Sequence, residues 1–129
     1  MNQELAGVYD ELHAANPQSA FEDPHPLVQN ALQYDFPGEV LDVGCGLGRH
    51  SFSCAARTGR RVVAIDLSRF AVETIRRIAC AERWNIEARV VDVLEEGINE
   101  LYGFIICTFL LHHCSVAQGK SLVEHMRAH

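Results

Sequence analysis

Lysine is almost missing from this chain. Lys120 is the only one, and arginine supplies the rest of a positive charge that 17 acids outweigh, for a net charge of −6. Four of the arginines (Arg69, Arg76, Arg77, Arg83) fall on one helix-compatible stretch with a single aromatic, Phe70, among them. That pattern reads as a solvated helix face and argues against a nucleic-acid partner. No apolar run approaches the ~20 residues that a membrane-spanning helix needs. The opening Met-Asn-Gln-Glu-Leu has neither the basic start nor the apolar core of a secretory leader. The expectation is therefore a cytoplasmic protein with no membrane partner. The five cysteines (Cys45, Cys54, Cys80, Cys107, Cys114) form no C-x-x-C pair. Four of them sit in apolar segments, where a thiol behaves as a small hydrophobe. Internal repeats and low-complexity segments are missing as well.

What the chain does have is a glycine turn. Glu39-Val40-Leu41-Asp42-Val43 runs into Gly44-Cys45-Gly46-Leu47-Gly48 and then into Arg49-His50-Ser51-Phe52-Ser53-Cys54-Ala55-Ala56, a segment of helix-compatible composition. This reads as a buried strand, a tight turn and a helix start, with glycines where the backbone bends sharply and a ligand comes close. The helix start aims unpaired N–H groups and a positive dipole end at the turn, which suits an anionic group. A dinucleotide fingerprint G-x-G-x-x-G would need glycine at position 49, and that residue is Arg49.

At 129 residues, nearly half apolar and 22% charged, the chain makes one domain, short for a complete α/β enzyme. Residues 3–15 carry Leu5, Val8, Tyr9 and Leu12 at helical spacing, and Asn16-Pro17-Gln18-Ser19 ends that helix. A loop precedes Pro26, which can start a second helix through about Tyr34. Strands are expected over about 40–43, 61–66, 86–91 and 104–110. Helices are expected over about 49–57 (Phe52, Ala55 and Ala56 inward), 68–83 (Phe70, Ala71, Ile75, Ile78 and Ala79 inward) and 116–129. Ser68 is the expected N-cap of the long helix. Strands that alternate with helices, and that are continuous apolar runs, argue for a parallel sheet buried on both faces.

Two further acids stand at strand ends. Asp66 closes Val62-Val63-Ala64-Ile65, which in a Rossmann-like fold sets a carboxylate beside the glycine turn, able to accept from both ribose hydroxyls. Asp92 closes Val90-Val91 in the same way. Its carboxylate can accept from an adenine amino group, and the N–H of Val93 can meet a ring nitrogen. The plainer reading of Asp66 is an acid at the start of the next helix that interacts with its dipole, and that of Asp92 is an ordinary strand-end acid.

In order and spacing, Glu39 to Gly48, Val62 to Ser68, Val90 to Val93 and Phe104 to His113 resemble the successive motifs of the class I S-adenosylmethionine-dependent methyltransferases, in their small-molecule, tellurite-resistance-like branch. The resemblance implies a Rossmann-like α/β fold with strand order 3-2-1-4 and helices on both faces. It implies S-adenosyl-L-methionine as cofactor, bound across the strand ends where the order reverses. Gly44, Cys45, Gly46 and Gly48 would line its methionine part, and Asp42 would help hold its ammonium. Asp66 would bind the ribose, Leu67 would pack on the adenine, Asp92 and Val93 would hold the adenine edge, and Cys107 would lie beneath the methionine part. Tyr9 would reach the site from an N-terminal helical cap over 1–36, above a core over 37–129. Two departures stand out. Gly103 precedes the fourth strand where the family has an acid, and the chain stops after the helix that follows that strand. The fourth strand would then be an apolar edge, which predicts either a homo-oligomer that covers it or a chain that is a fragment.

The functional expectation is methyl transfer to a small-molecule acceptor by in-line displacement, with no dedicated catalytic residue assigned. The chain lacks the Asn/Asp-Pro-Pro-aromatic signature of amino-group methyltransferases on nucleic acid. The alternative is a non-catalytic S-adenosylmethionine-binding module that acts through oligomerisation. No metal site is expected. His112, His113 and Cys114 are adjacent and point apart, and His125 with His129 lacks a third ligand at a recognised spacing. His112 or His113 remains a candidate general base.

Overall fold

The computed structural model describes residues 3–108, 110 and 114–129. Four short parallel strands form the sheet: β1 (Val40–Val43), β2 (Val62–Asp66), β3 (Ile86–Val90) and β4 (Phe104–Cys107), in the order β3-β2-β1-β4. The register sets Val43 level with both Ile65 and Cys107, and Val90 level with Asp66. The chain therefore leaves neighbouring strands at one height, at Gly44, Leu67, Val91 and Thr108. Every residue of β1 is buried, as are Val62 to Ile65 of β2, whereas the outer strands β3 and β4 are largely half-exposed. Near-complete burial thus marks the two central strands.

The helices are α1 (Gln3–Ala15), α2 (Pro26–Ala31), α3 (Arg49–Thr58), α4 (Arg69–Glu82), α5 (Val93–Glu96) and α6 (Val116–Ala128). Side chains alternate across a strand, so each sheet face collects every second residue. Val40, Val62 and Ile106 pack with Val28, Cys54 and Ala55 on the side of α2 and α3, and Ala64 packs with Ala71, Val72 and Ile75 of α4. Leu41, Val43, Val63 and Ile65 pack on the opposite side with Val93, Ile98 and Leu122. Fully buried aliphatics such as Ile75 each contribute about 1.5–3 kcal/mol of transfer free energy. Local signals end the helices as expected. Ser68 caps α4 by accepting from the N–H of Ala71, and Gly59 closes α3 in the left-handed region.

Several boundaries differ from expectation. A 3-10 turn over Pro17–Phe21 replaces a loop, and α2 stops at Ala31 instead of reaching Tyr34. β4 ends at Cys107, three residues short of its expected end; Phe109 lies outside the described residues. Phe70 and Ala56 are exposed, because Ala71, Val72, Ile75 and Ala79 make up the inner stripe of α4, and His50, Ser51, Phe52, Cys54 and Ala55 that of α3. α1 buries nothing fully; Leu5 and Leu12 instead face a cavity at the strand ends. The glycine at position 103 has a steric reason. A Cβ there would collide with the Pro37 carbonyl, where the chain passes close to the start of β1.

Candidate active site

A cavity of about 540 Å³ lies across the carboxyl ends of the strands. That is within the roughly 300–1,000 Å³ usual for small-molecule and cofactor sites. Its floor is the glycine turn from Gly44 to Gly48, and its walls include Asp66 and Leu67, Asp92 and Val93, and Thr108; Tyr9 and His13 of α1 lie over it. The turn is glycine-rich for two different reasons. At Gly46 (φ +55°) a Cβ would stand 3.3 Å from the His13 ring, on the cavity side. At Gly48 (φ +95°) a Cβ would meet Ile75 at 2.9 Å and Phe52 at 3.0 Å, inside the core. Gly46 keeps the floor low, and Gly48 lets α3 pack closely behind it.

Asp66 holds the turn in shape. One carboxylate oxygen accepts from the Gly46 N–H at 2.9 Å and the other from the Ser68 N–H at 2.8 Å. An ionised carboxylate has about four lone-pair sites, so two remain for a ligand. Asp92 caps α5 by accepting from the Leu94 N–H at 3.2 Å, and its own N–H donates to Glu96 at 2.8 Å. Both strand-end acids are therefore helix-terminal partners and cavity walls at once.

Asp42 and Cys107 do not line this cavity. Asp42 is fully buried beneath the turn, where one oxygen accepts from the Ser51 hydroxyl at 2.7 Å and the other is without a partner. Burial, with the nearby Asp66 charge, pushes its carboxyl up to about 7 against the Ser51 hydrogen bond. Cys107 faces the α6 side with Val43 and Ile105, because strand alternation turns it away; the next residue, Thr108, lines the cavity instead. Cys45 lines the cavity, and burial holds its thiol well above its ordinary range. Tyr9 lines it too, with its hydroxyl raised by burial and by the Asp66 charge.

Sequence reasoning left three features of the site unassigned. His50, on the first turn of α3, is buried; its Nε2 accepts from the His25 N–H at 3.0 Å and its Nδ1 lies 3.4 Å from the Thr108 hydroxyl. Burial, with Arg49 and His25 close by, lowers His50 to about 4, so it is neutral at pH 7. Arg49 lines the cavity and pairs with Glu22 at 2.9 Å. Asp10 of α1 binds the start of α4, accepting from the Ser68 hydroxyl and from the Phe70 N–H at 3.0 Å. The i, i+1 neighbourhood of the glycine turn is the only sequence signal for His50; for Asp10 there is none. His112 and His113 lie outside the described residues. Among the described residues, no group of His, Cys, Asp and Glu is arranged to hold a metal ion.

Residues 40–129 match the family model of the methyltransferase domain. Hemagglutinin 1 of Eikenella corrodens is 30% identical over 105 residues, which cover 81% of this chain and 35% of that protein. The probable S-adenosyl-L-methionine-dependent methyltransferase TehB of Haemophilus influenzae is 28% identical over 105 residues, 81% of this chain and 36% of its own length. This chain therefore spans little more than a third of the curated relatives it matches. The crystal structure of TehB from Haemophilus influenzae superposes with a TM-score of 0.73 at 27% identity, over 82% of this chain and 37% of that one. The glycine turn, the strand order and the matched model agree, and the chain belongs to the methyltransferase-domain family, in the class I, tellurite-resistance-like group whose motifs it carries.

Proposed function

We propose that this chain binds S-adenosyl-L-methionine and transfers its methyl group to a small-molecule acceptor. The observation that carries this reading is the placement of Asp66 and Asp92, from neighbouring strand ends, on the wall of one cavity floored by a glycine turn. The residues present fit the cofactor. Asp66 keeps lone pairs for ribose hydroxyls, Asp92 and Val93 offer an edge for adenine, and Leu67 supplies an apolar face for the ring. Gly44, Cys45, Gly46 and Gly48 leave room for the methionine part, and the start of α3 favours its carboxylate. When bound, the cofactor supplies a methyl group already activated on a sulfonium sulfur. The chain's own work is to orient two reactants in line and to exclude water with α1, from which Leu5, Tyr9, Leu12 and His13 cover the cavity.

Pairing of two copies through the outer edge of β4 belongs to the same proposal. A groove of about 710 Å³ runs along that edge, bordered by Phe104, Ile105, Val123 and Met126, and among the described residues β4 pairs only with β1. A cytoplasmic setting fits five cysteines that all stay unpaired. The test is transfer of an isotopically labelled methyl group to a panel of small thiols, carboxylates, amines and oxyanions. Formation of labelled product with at least one acceptor, and its loss in Asp66→Ala, is the expected outcome. Tight binding of the cofactor with no labelled product from any acceptor would leave a binding module instead.

A further inference from the structure

The cavity is chemically lopsided. At the β2 and β3 ends it is lined by the carboxylates Asp66, Asp92 and Glu95, groups able to accept hydrogen bonds from a ligand. At the β4 end the described residues of the wall include Thr108, His50, Arg49, Cys114 and Gln118. Most of these are already engaged. The Arg49 guanidinium is paired with Glu22, the Cys114 thiol donates to the Leu110 carbonyl, and the Gln118 side chain caps α6 by accepting from the Ser115 N–H.

Thr108 is different, because its neighbour dictates where its proton goes. The His25 N–H donates to His50 Nε2 at 3.0 Å, so that nitrogen carries the lone pair and the ring proton is on Nδ1. Nδ1, 3.4 Å from the Thr108 oxygen, is then the donor in that contact. The threonine oxygen receives a hydrogen bond from behind, and its own O–H is left to donate into the cavity.

We propose that Thr108, with its hydroxyl turned by the positioning residue His50, selects the methyl acceptor, and that the β4 end of the cavity takes an oxygen or sulfur nucleophile in its anionic form, a carboxylate or a thiolate. This rests on the methyltransferase reading. An amine has a single lone pair, which a hydrogen bond from Thr108 would occupy. An oxygen or sulfur anion can accept from Thr108 and still direct another lone pair at the methyl carbon. The acceptor's pair forms the new bond, and the pair of the broken carbon–sulfur bond stays on sulfur. An anionic acceptor has no proton to lose in that step, which matches the state of His50, whose lone pair is bound to the His25 N–H.

The test uses the full chain saturated with S-adenosylhomocysteine and follows the Thr108 methyl signal by NMR as acetate or methylammonium is added. Acetate is expected to shift that signal saturably and methylammonium to leave it unmoved. Thr108→Ser should hold acetate as the parent does, and Thr108→Val should weaken it about tenfold to a hundredfold, the worth of one hydrogen bond to a charged group. The ¹⁵N shifts of His50 should read a protonated Nδ1 and a bare Nε2. Equal binding of methylammonium, unchanged acetate binding in Thr108→Val, or a protonated Nε2 would each overturn the proposal. Failure of S-adenosylhomocysteine to bind the parent would overturn the methyltransferase reading instead.

Discussion

Two groups just beneath the cavity pull stability in opposite directions as pH changes. Asp42 keeps its proton in the folded protein up to about pH 7, whereas its ordinary value is 3.8. Between those values the unfolded chain has released a proton that the folded chain retains, so stability falls as pH rises and is level above the window. His50 does the reverse. Its folded value is about 4 against an ordinary 6.5, so below 6.5 the unfolded chain takes up a proton that the folded one refuses, and stability falls as pH drops. The two slopes oppose each other between about 4 and 6.5. Asp42→Asn keeps the shape and an oxygen for the Ser51 hydroxyl but removes the charge. Its stability relative to the parent should therefore improve from pH 5 to pH 7, by up to ~1.4 kcal/mol per pH unit. Urea unfolding at several pH values checks this. A difference that stays constant across that range would mean that Asp42 ionises normally despite its burial.

At the scale of elements, α1 is the part least committed to the fold. None of its residues is buried, and its Leu5, Val8 and Leu12 are 42%, 57% and 53% exposed. What pins it is Asp10, which joins the Ser68 hydroxyl and the Phe70 N–H at the start of α4. Removing that carboxylate in Asp10→Ala takes away a helix-terminal acceptor and should cost about 0.5–2 kcal/mol. The loss belongs to one element, so amides of α1 should exchange faster with solvent while those of β1 and β2 keep their protection. Unchanged exchange in α1 would show that its packing over the cavity, and not Asp10, holds it. The same scale explains Cys107 and Thr108. Cys107 was read from a strand end and Thr108 was left unassigned, because only the alternation along β4 decides which of two consecutive residues lines the cavity, and that depends on where the strand stops.

Across the whole molecule, the parallel sheet was legible because strands alternate with helices and three of them run into a punctuating residue (Gly44, Asp66, Asp92), whereas its order came from the resemblance of the successive motifs. Those three residues also outline the cavity, so most of its floor and one wall could be read from local pattern alone. The other wall could not. His50 comes to Thr108 from 58 positions away, and Asp10 comes to Ser68 across a similar gap. Such meetings are set by how helices dock on the sheet, and no periodicity or spacing encodes them. Asp42 shows a related limit. Its motif names it, but only the packing of α3 behind the turn puts it under the floor instead of in the wall.

The central claim is that the cavity between Asp66 and Asp92 holds an adenosyl sulfur compound. Calorimetric titration with S-adenosylhomocysteine tests it most directly. The parent should bind one equivalent. Asp66→Asn, which keeps the size but loses the charge-assisted acceptor, should bind about tenfold to a hundredfold more weakly, as expected for the loss of hydrogen bonds to a charged group worth about 1.5–3 kcal/mol. No heat with the parent, or equal affinity in Asp66→Asn, would contradict the account.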